Sequence, residues 1–144
     1  VNLAAPPSMD SCTRDVYPPG WVILPGPARQ LLSAMASALA QLHARGVMHG
    51  DFYGHNILWH PATGQAMLGD FGAATLLPQD DPALAGRLLA LEVRAFGCLV
   101  EELAERCADA DPAWRAQMAS IRDACLADDP DQRPFMAELA DSLR

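Results

Sequence analysis

His49-Gly50-Asp51-Phe52-Tyr53-Gly54-His55-Asn56, followed fourteen residues after the asparagine by Asp70-Phe71-Gly72, is the stretch from which the rest of the chain can be read. Between the two segments lie Asn56-Ile57-Leu58-Trp59-His60 and Gln65-Ala66-Met67-Leu68-Gly69, short apolar runs that read as strands. Pro61-Ala62-Thr63-Gly64 joins them with the residues of a tight hairpin connection. A hairpin with a polar loop on each flank can bring Asp51, Asn56 and Asp70 to one end. Asn56 and Asp70 offer hard oxygen ligands, which suit Mg²⁺ when phosphate oxygens complete its shell. Asp51 is a third carboxylate in reach with no evident ligand role, free to accept a proton from an attacking hydroxyl. Gly72 permits the backbone turn that points Asp70 inward. Asp-Phe-Gly or His-Gly-Asp alone is a common turn tripeptide; their joint order and spacing carry the chemistry.

Working outward, the segment before the loop predicts a helix from about Pro27 to Arg45, with Leu31, Leu32, Met35, Leu39 and Leu42 at helical spacing and Gly46 as its stop. Residues 1–26 are rich in Pro and Gly and read as an extended, hinge-like connector. After the polar patch at 78–82 a second long helix is expected from Ala83 to Cys107, apolar around Leu88–Leu91 and Phe96–Leu103 and hence central and buried. Asp111-Pro112 caps a third helix to about Leu126, with Trp114, Met118, Ile121 and Cys125 on one face. A last helix puts Phe135, Leu139 and Leu143 in line. The expected fold is mainly α, with one small hairpin carrying the loops.

Composition narrows the field. The chain has 144 residues, 51% hydrophobic and 19% charged, which suits one globular domain. Its net charge is −8, and all ten basic residues are Arg, which argues against a nucleic-acid partner. The Lys-free, Ala- and Arg-rich usage suggests a GC-rich, bacterial genome. No apolar run approaches the roughly 20 residues that cross a bilayer, so no membrane partner is expected. Cys12, Cys98, Cys107 and Cys125 form no C-x-x-C pair and have no His at finger-like spacing, which disfavours zinc. Without a secretory signal they read as reduced thiols in the cytoplasm, Cys98 and Cys125 filling core space. The start at Val1 reads as a fragment or a domain cut from a longer protein.

His49, Asp51, Asn56 and Asp70-Phe71-Gly72 match the signature H-x-D-x-x-x-x-N then D-F-G, and here the chain resembles the eukaryotic-like protein kinase family. Leu42-His43-Ala44-Arg45-Gly46 looks like the end of the helix before the catalytic loop. Glu92-Val93-Arg94-Ala95-Phe96-Gly97 looks like the family's D-x-W-S-F-G in the central helix, and Cys125 to Pro134 like C-x-x-x-D-P-x-x-R-P. More narrowly, the sequence is similar to kinase domains attached to leucine-rich repeats in some bacteria. The resemblance implies residues 27–144 as a C-terminal lobe without its N-terminal lobe, and ATP and Mg²⁺ as cofactors. It makes Asp51 the catalytic base and Asn56 and Asp70 the metal ligands. Leu58 becomes the floor beneath the adenine ring, and His49 and Phe71 stack in the hydrophobic spine. The implied reaction is transfer of the ATP γ-phosphate to a protein hydroxyl, Ser/Thr-type favoured.

The chain departs from the family pattern at four points. It has no Gly-rich loop and no Lys to grip phosphates, so the 144 residues alone are expected to bind ATP weakly and need an N-lobe from upstream sequence or a partner chain. Gly50 stands where many kinases carry the Arg that reads a phosphate on the activation loop, and with no A-P-E motif Arg133 needs another acceptor, Glu92 or a loop carboxylate. Tyr53 replaces a Lys near the transferred group, with His55 as a candidate source of partial charge. Only one helix fits between Cys107 and Asp128, where kinases usually have two. Besides an active protein kinase, two readings stay open: a pseudokinase or interaction module, and a small-molecule phosphotransferase of the aminoglycoside-kinase type, which shares H-G-D-x-x-x-x-N. Phe96-Gly97 and Asp129 to Pro134 favour the protein-kinase branch.

Overall fold

A computed structural model describes residues 1–11 and 14–144 of the chain, and among these described residues it forms four α-helices, three single 3₁₀ turns and two small antiparallel sheets; Cys12 lies outside the described residues. Helix α1 (Pro25–Ala44) buries Ala28, Leu31, Leu32, Met35, Ala36 and Leu39, the stripe its spacing predicts. It starts two residues earlier than expected, because Pro25 supplies the pre-set φ of a first helical position and brings Gly26 into the first turn. Gly46, with φ +71°, ends it.

Strands β2 (Ile57–Trp59) and β3 (Ala66–Leu68) form the expected hairpin, with Ile57 opposite Leu68 and Trp59 opposite Ala66. Their pleat turns Ile57, Trp59 and Leu68 into the core and leaves Leu58 and Met67 outside. A second sheet was not legible in the sequence: β1 (Val47–Met48) pairs with β4 (Thr75–Leu76), and the Leu77 amide extends it by donating to Gly46 O at 2.8 Å. This ladder ties the segment after Asp70-Phe71-Gly72 to the start of the His49 loop.

Helix α2 (Pro82–Glu105) is capped by Asp81, whose side chain accepts from Leu84 N at 2.9 Å. The sequence suggested a helix buried along most of its length. Burial in fact begins at Ala90, and Leu84 and Leu91 remain 45% and 54% exposed. From there Val93, Phe96, Leu99, Val100 and Leu103 face the core. Helix α3 (Pro112–Cys125) has the predicted Asp111 cap, accepting from Trp114 N at 2.7 Å, and the predicted buried face. It packs close to α2 at Gly97, where an added methyl carbon would lie 2.6 Å from Cys125 Cβ. Cys125 is core as expected, while Cys98 is only half-buried.

Helix α4 (Met136–Ser142) corrects the expected register. Phe135 is its N-cap and 71% exposed, and Met136 takes the inward place beside Leu139 and Leu143. The cause is Glu138, whose side chain accepts from Phe135 N at 2.8 Å and so fixes Phe135 as the residue before the first turn. Arg133 needs no carboxylate: it donates to Ala127 O and Ala90 O, both at 2.9 Å, tying this loop to α2.

The Pro-rich segment before α1 is stitched down at several points. Leu3 N donates to Ile57 O at 2.8 Å, Ala5 and Val16 exchange two backbone bonds, and Ile23 pairs beside Cys107. Leu3 and Ile23 join the same buried cluster as α1, Phe52 and Phe96.

Candidate active site

The loop between β1 and β2 is held from three sides. From below, Glu92 of α2 sits 2% exposed and accepts from His49 N at 3.1 Å, Gly50 N at 2.9 Å and His43 Nε2 at 2.8 Å. Burial alone would raise its carboxyl pKa, yet the His43 bond and the two backbone amides outweigh that and hold it below the ordinary glutamate range. Glu92 thus anchors the loop rather than partnering Arg133.

On the second side the loop meets the Asp-Phe-Gly segment. His49 is fully buried, and its Nε2 lies 2.8 Å from Gly69 O. A carbonyl can only accept, so Nε2 carries the proton and Nδ1 is left to accept from Asp51 N at 3.3 Å. The His49 and Phe71 rings meet edge-on with centroids 4.9 Å apart, the stacking expected for this pair, although Phe71 is half exposed. Gly50 is required here: its φ is +81°, and an added methyl carbon would stand 2.5 Å from Ala73 O.

The third side was invisible in the sequence. Asp15, in the Pro-rich segment, buries its side chain completely and accepts from Gly54 N at 2.7 Å, His55 N at 2.9 Å and His55 Nδ1 at 2.7 Å. His55 therefore does not stand free to lend charge to a transferred group; it is paired with Asp15 and stacked on Tyr53. Arg14 donates to Phe52 O at 3.1 Å, and its guanidinium lies 4.4 Å from the centre of the Tyr53 ring. Behind Arg14, Glu102 accepts from the Tyr17 hydroxyl at 3.0 Å; burial raises both groups above their ordinary pKa values.

Within this frame Asp51 and Asn56 touch. The Asn56 amide nitrogen donates to Asp51 O at 2.9 Å and to Asp51 Oδ2 at 2.8 Å. That leaves Asn56 Oδ1 and Asp51 Oδ1 without a protein partner among the described residues. Asp70 is brought alongside through the backbone, because Gly69 N donates to Asn56 O at 2.8 Å. Its φ of 51° turns the exposed carboxylate back over Gly72, whose amide donates to Asp70 Oδ1 at 3.2 Å. Among the described residues no hydrogen bond joins the Asp70 side chain to Asp51 or Asn56. The open oxygens of Asn56 and Asp70 are the hard donors that Mg²⁺ takes, so this donor set fits that ion. Leu58, 44% exposed, and Met67, 65% exposed, form an apolar platform on the outer face of the hairpin. A cleft of about 280 Å³ runs beside the loop, between Gly50, Phe52 and Tyr53 on one wall and Arg94, Ala95 and Cys98 of α2 on the other.

Residues 11–89 match the family model described as the protein kinase domain. A stretch of 45 residues is 42% identical to glycogen synthase kinase 1 of Pyricularia oryzae, covering 31% of this chain and 11% of that protein. Among solved structures, one described as a divergent kinase that lacks the glycine-rich loop and regulates membrane ultrastructure of the Toxoplasma parasitophorous vacuole superposes with a TM-score of 0.58. That match is 17% identical and covers 78% of this chain and 40% of the other, so it speaks to the fold. The family match spans more than half of the sequence and includes the loop, the hairpin and Asp70-Phe71-Gly72, and on it the chain belongs to the eukaryotic-like protein kinase family, whose enzymes are phosphotransferases.

Proposed function

We propose that these residues are the C-terminal lobe of a protein kinase that transfers the ATP γ-phosphate to a protein hydroxyl, Ser/Thr-type, once an N-lobe from adjoining sequence or a partner chain completes it. The observation that carries this reading is the Asn56 amide seated on the Asp51 carboxylate, with Asp70 joined through Gly69. Bound ATP·Mg²⁺ supplies the electrophilic phosphoryl group. Asn56 Oδ1 and the free oxygen of Asp70 are the donors that would hold the metal. Asp51 Oδ1 is the open acceptor for the hydroxyl proton, while its Oδ2 is fixed by Asn56. Leu58 and Met67 offer the apolar surface an adenine ring would cover, and the cleft between the loop and α2 offers the acceptor an approach.

Without Lys, the 144 residues offer no ammonium for the nucleotide phosphates. Arg14 is committed to Phe52 O and the Tyr53 ring. This favours a second reading, an interaction module that keeps the fold without turnover.

The test is incubation of the full-length gene product containing this chain with γ-labelled ATP and Mg²⁺. Label should reach protein and fall by about 10²- to 10⁴-fold in Asp51→Asn, the usual worth of a positioned base. A folded product that neither binds nucleotide nor transfers phosphate refutes the proposal in favour of the interaction module. Label on a small hydroxylated compound, and on no protein, would refute the protein acceptor.

A further inference from the structure

We propose that the dipeptide Arg14-Asp15 is a positioning clasp for the catalytic loop, setting the Asp51–Asn56 pair; its catalytic meaning rests on the phosphotransfer reading above. Four residues, Phe52 to His55, separate Asp51 from Asn56, and these two side chains between them grip every one. Arg14 holds Phe52 by its carbonyl at 3.1 Å and Tyr53 by its ring face. Asp15 holds Gly54 and His55 by their amides, and His55 again by its imidazole, at 2.7–2.9 Å.

The chemistry of each contact fits a clasp rather than incidental packing. Gly54–Asn56 is a single 3₁₀ turn, and the first amides of such a turn have no partner within it. Asp15 supplies that partner from a distant part of the chain. A carboxylate buried as completely as Asp15 is costly unless its oxygens are hydrogen-bonded, and here three donors converge on them. Gly54 is matched to the task. It has the N–H that a proline would lack, and an added methyl carbon would meet Tyr17 Oη at 3.0 Å and Asp15 Oδ2 at 3.3 Å. Arg14 is steadied in turn by Glu102 of α2, 3.5 Å away. The turn ends at Asn56, so its orientation decides where the Asn56 amide falls relative to Asp51. Loss of the clasp releases the turn, and with it the Asn56–Asp51 bond.

The experiment compares wild type, Asp15→Ala and Arg14→Gln by NMR on the whole chain, with urea unfolding run in parallel. Two readouts need no nucleotide: amide exchange at Gly54 and His55, and the Asn56 side-chain amide resonances. In Asp15→Ala, exchange at Gly54 and His55 should rise roughly 10- to 100-fold relative to buried α2 amides, as expected for bonds to a charged acceptor. The Asn56 side-chain amide resonances should move with it, which a purely scaffolding role would not cause. Arg14→Gln, which spares the Asp15 bonds, should shift the Asn56 side-chain amide in the same direction by less. It decides the matter if Asp15→Ala does not fold. Unchanged Asn56 side-chain signals in a folded variant overturn the clasp. Failure of the full-length gene product to bind Mg²⁺·ATP would instead sink the phosphotransfer reading and leave these readouts standing.

Discussion

Replacing Glu92 tests the anchor beneath the catalytic loop. In Glu92→Ala the buried His49 amide and the largely buried His43 imidazole lose their acceptor, and the Gly50 amide loses its own at a more exposed place. An unsatisfied buried donor costs about 1–3 kcal/mol, and breaking a buried ionic group from its partners about 3–5 kcal/mol in all. Against the 5–15 kcal/mol typical of a domain, that is a large share of the total. It corresponds to a fall in Tm of roughly 6–20 °C, at about 2–4 °C per kcal/mol. Glu92→Gln keeps the shape and one acceptor oxygen, so its cost should be about 1–2 kcal/mol. The carboxyl pKa is lowered in the folded state, so the stability from its ionisation is fully present above the unfolded glutamate value of about 4.3 and is lost as pH falls through the folded value. The gap between wild type and Glu92→Gln should therefore narrow as pH falls below about 4.3. Urea unfolding across pH, with the m-value checked for constancy, measures both effects. A Glu92→Ala variant within about 1 kcal/mol of wild type, or a gap to Glu92→Gln that widens in acid, would refute the anchor.

Two further outcomes are expected. Gly50→Ala should cost about 1–3 kcal/mol and disturb the Phe71–Ala73 turn, since the new methyl meets Ala73 O at 2.5 Å in a left-handed backbone; urea unfolding and the Ala73 amide shift report it. Burial pushes the Cys125 thiol up to about 12 and raises that of Cys107, so native-state alkylation at pH 8 should modify Cys98 well before either, with the difference abolished in urea; mass spectrometry of the labelled peptides checks it.

Local rules gave the parts of the fold that local chemistry decides. Asp111-Pro112 capped α3, the Pro61–Gly64 turn joined β2 to β3, and the apolar stripe of α1 pointed inward as its spacing required. What escaped was decided by distance along the chain. The β1–β4 pair joins two-residue strands that carry no periodicity of their own. Asp15 is one acid in a Pro-rich stretch, and nothing near it in sequence says that it caps a turn some 40 residues away. Glu92 did leave a trace, a lone carboxylate in an apolar helical run, but its partners on the loop could not be named without the packing of α2 beneath it. Asp51 and Asn56 were legible as a pair because five residues and a turn suffice to bring them together. The direction of the Asp70 carboxylate depended on a left-handed backbone that its sequence did not reveal.

The anchoring of the loop also says when the site can come into being. The contacts that order it span 20 to 43 residues, from His49 to Gly69 at the short end and from Glu92 to His49 at the long, and none is available to a chain that has formed only its helices. Long-range contacts bring loop-closure entropy and are formed late. An intermediate with α1 and α2 packed would therefore carry every chemically relevant side chain and still present no organised site, so the Asn56 amide on Asp51 can serve as a reporter of completed folding.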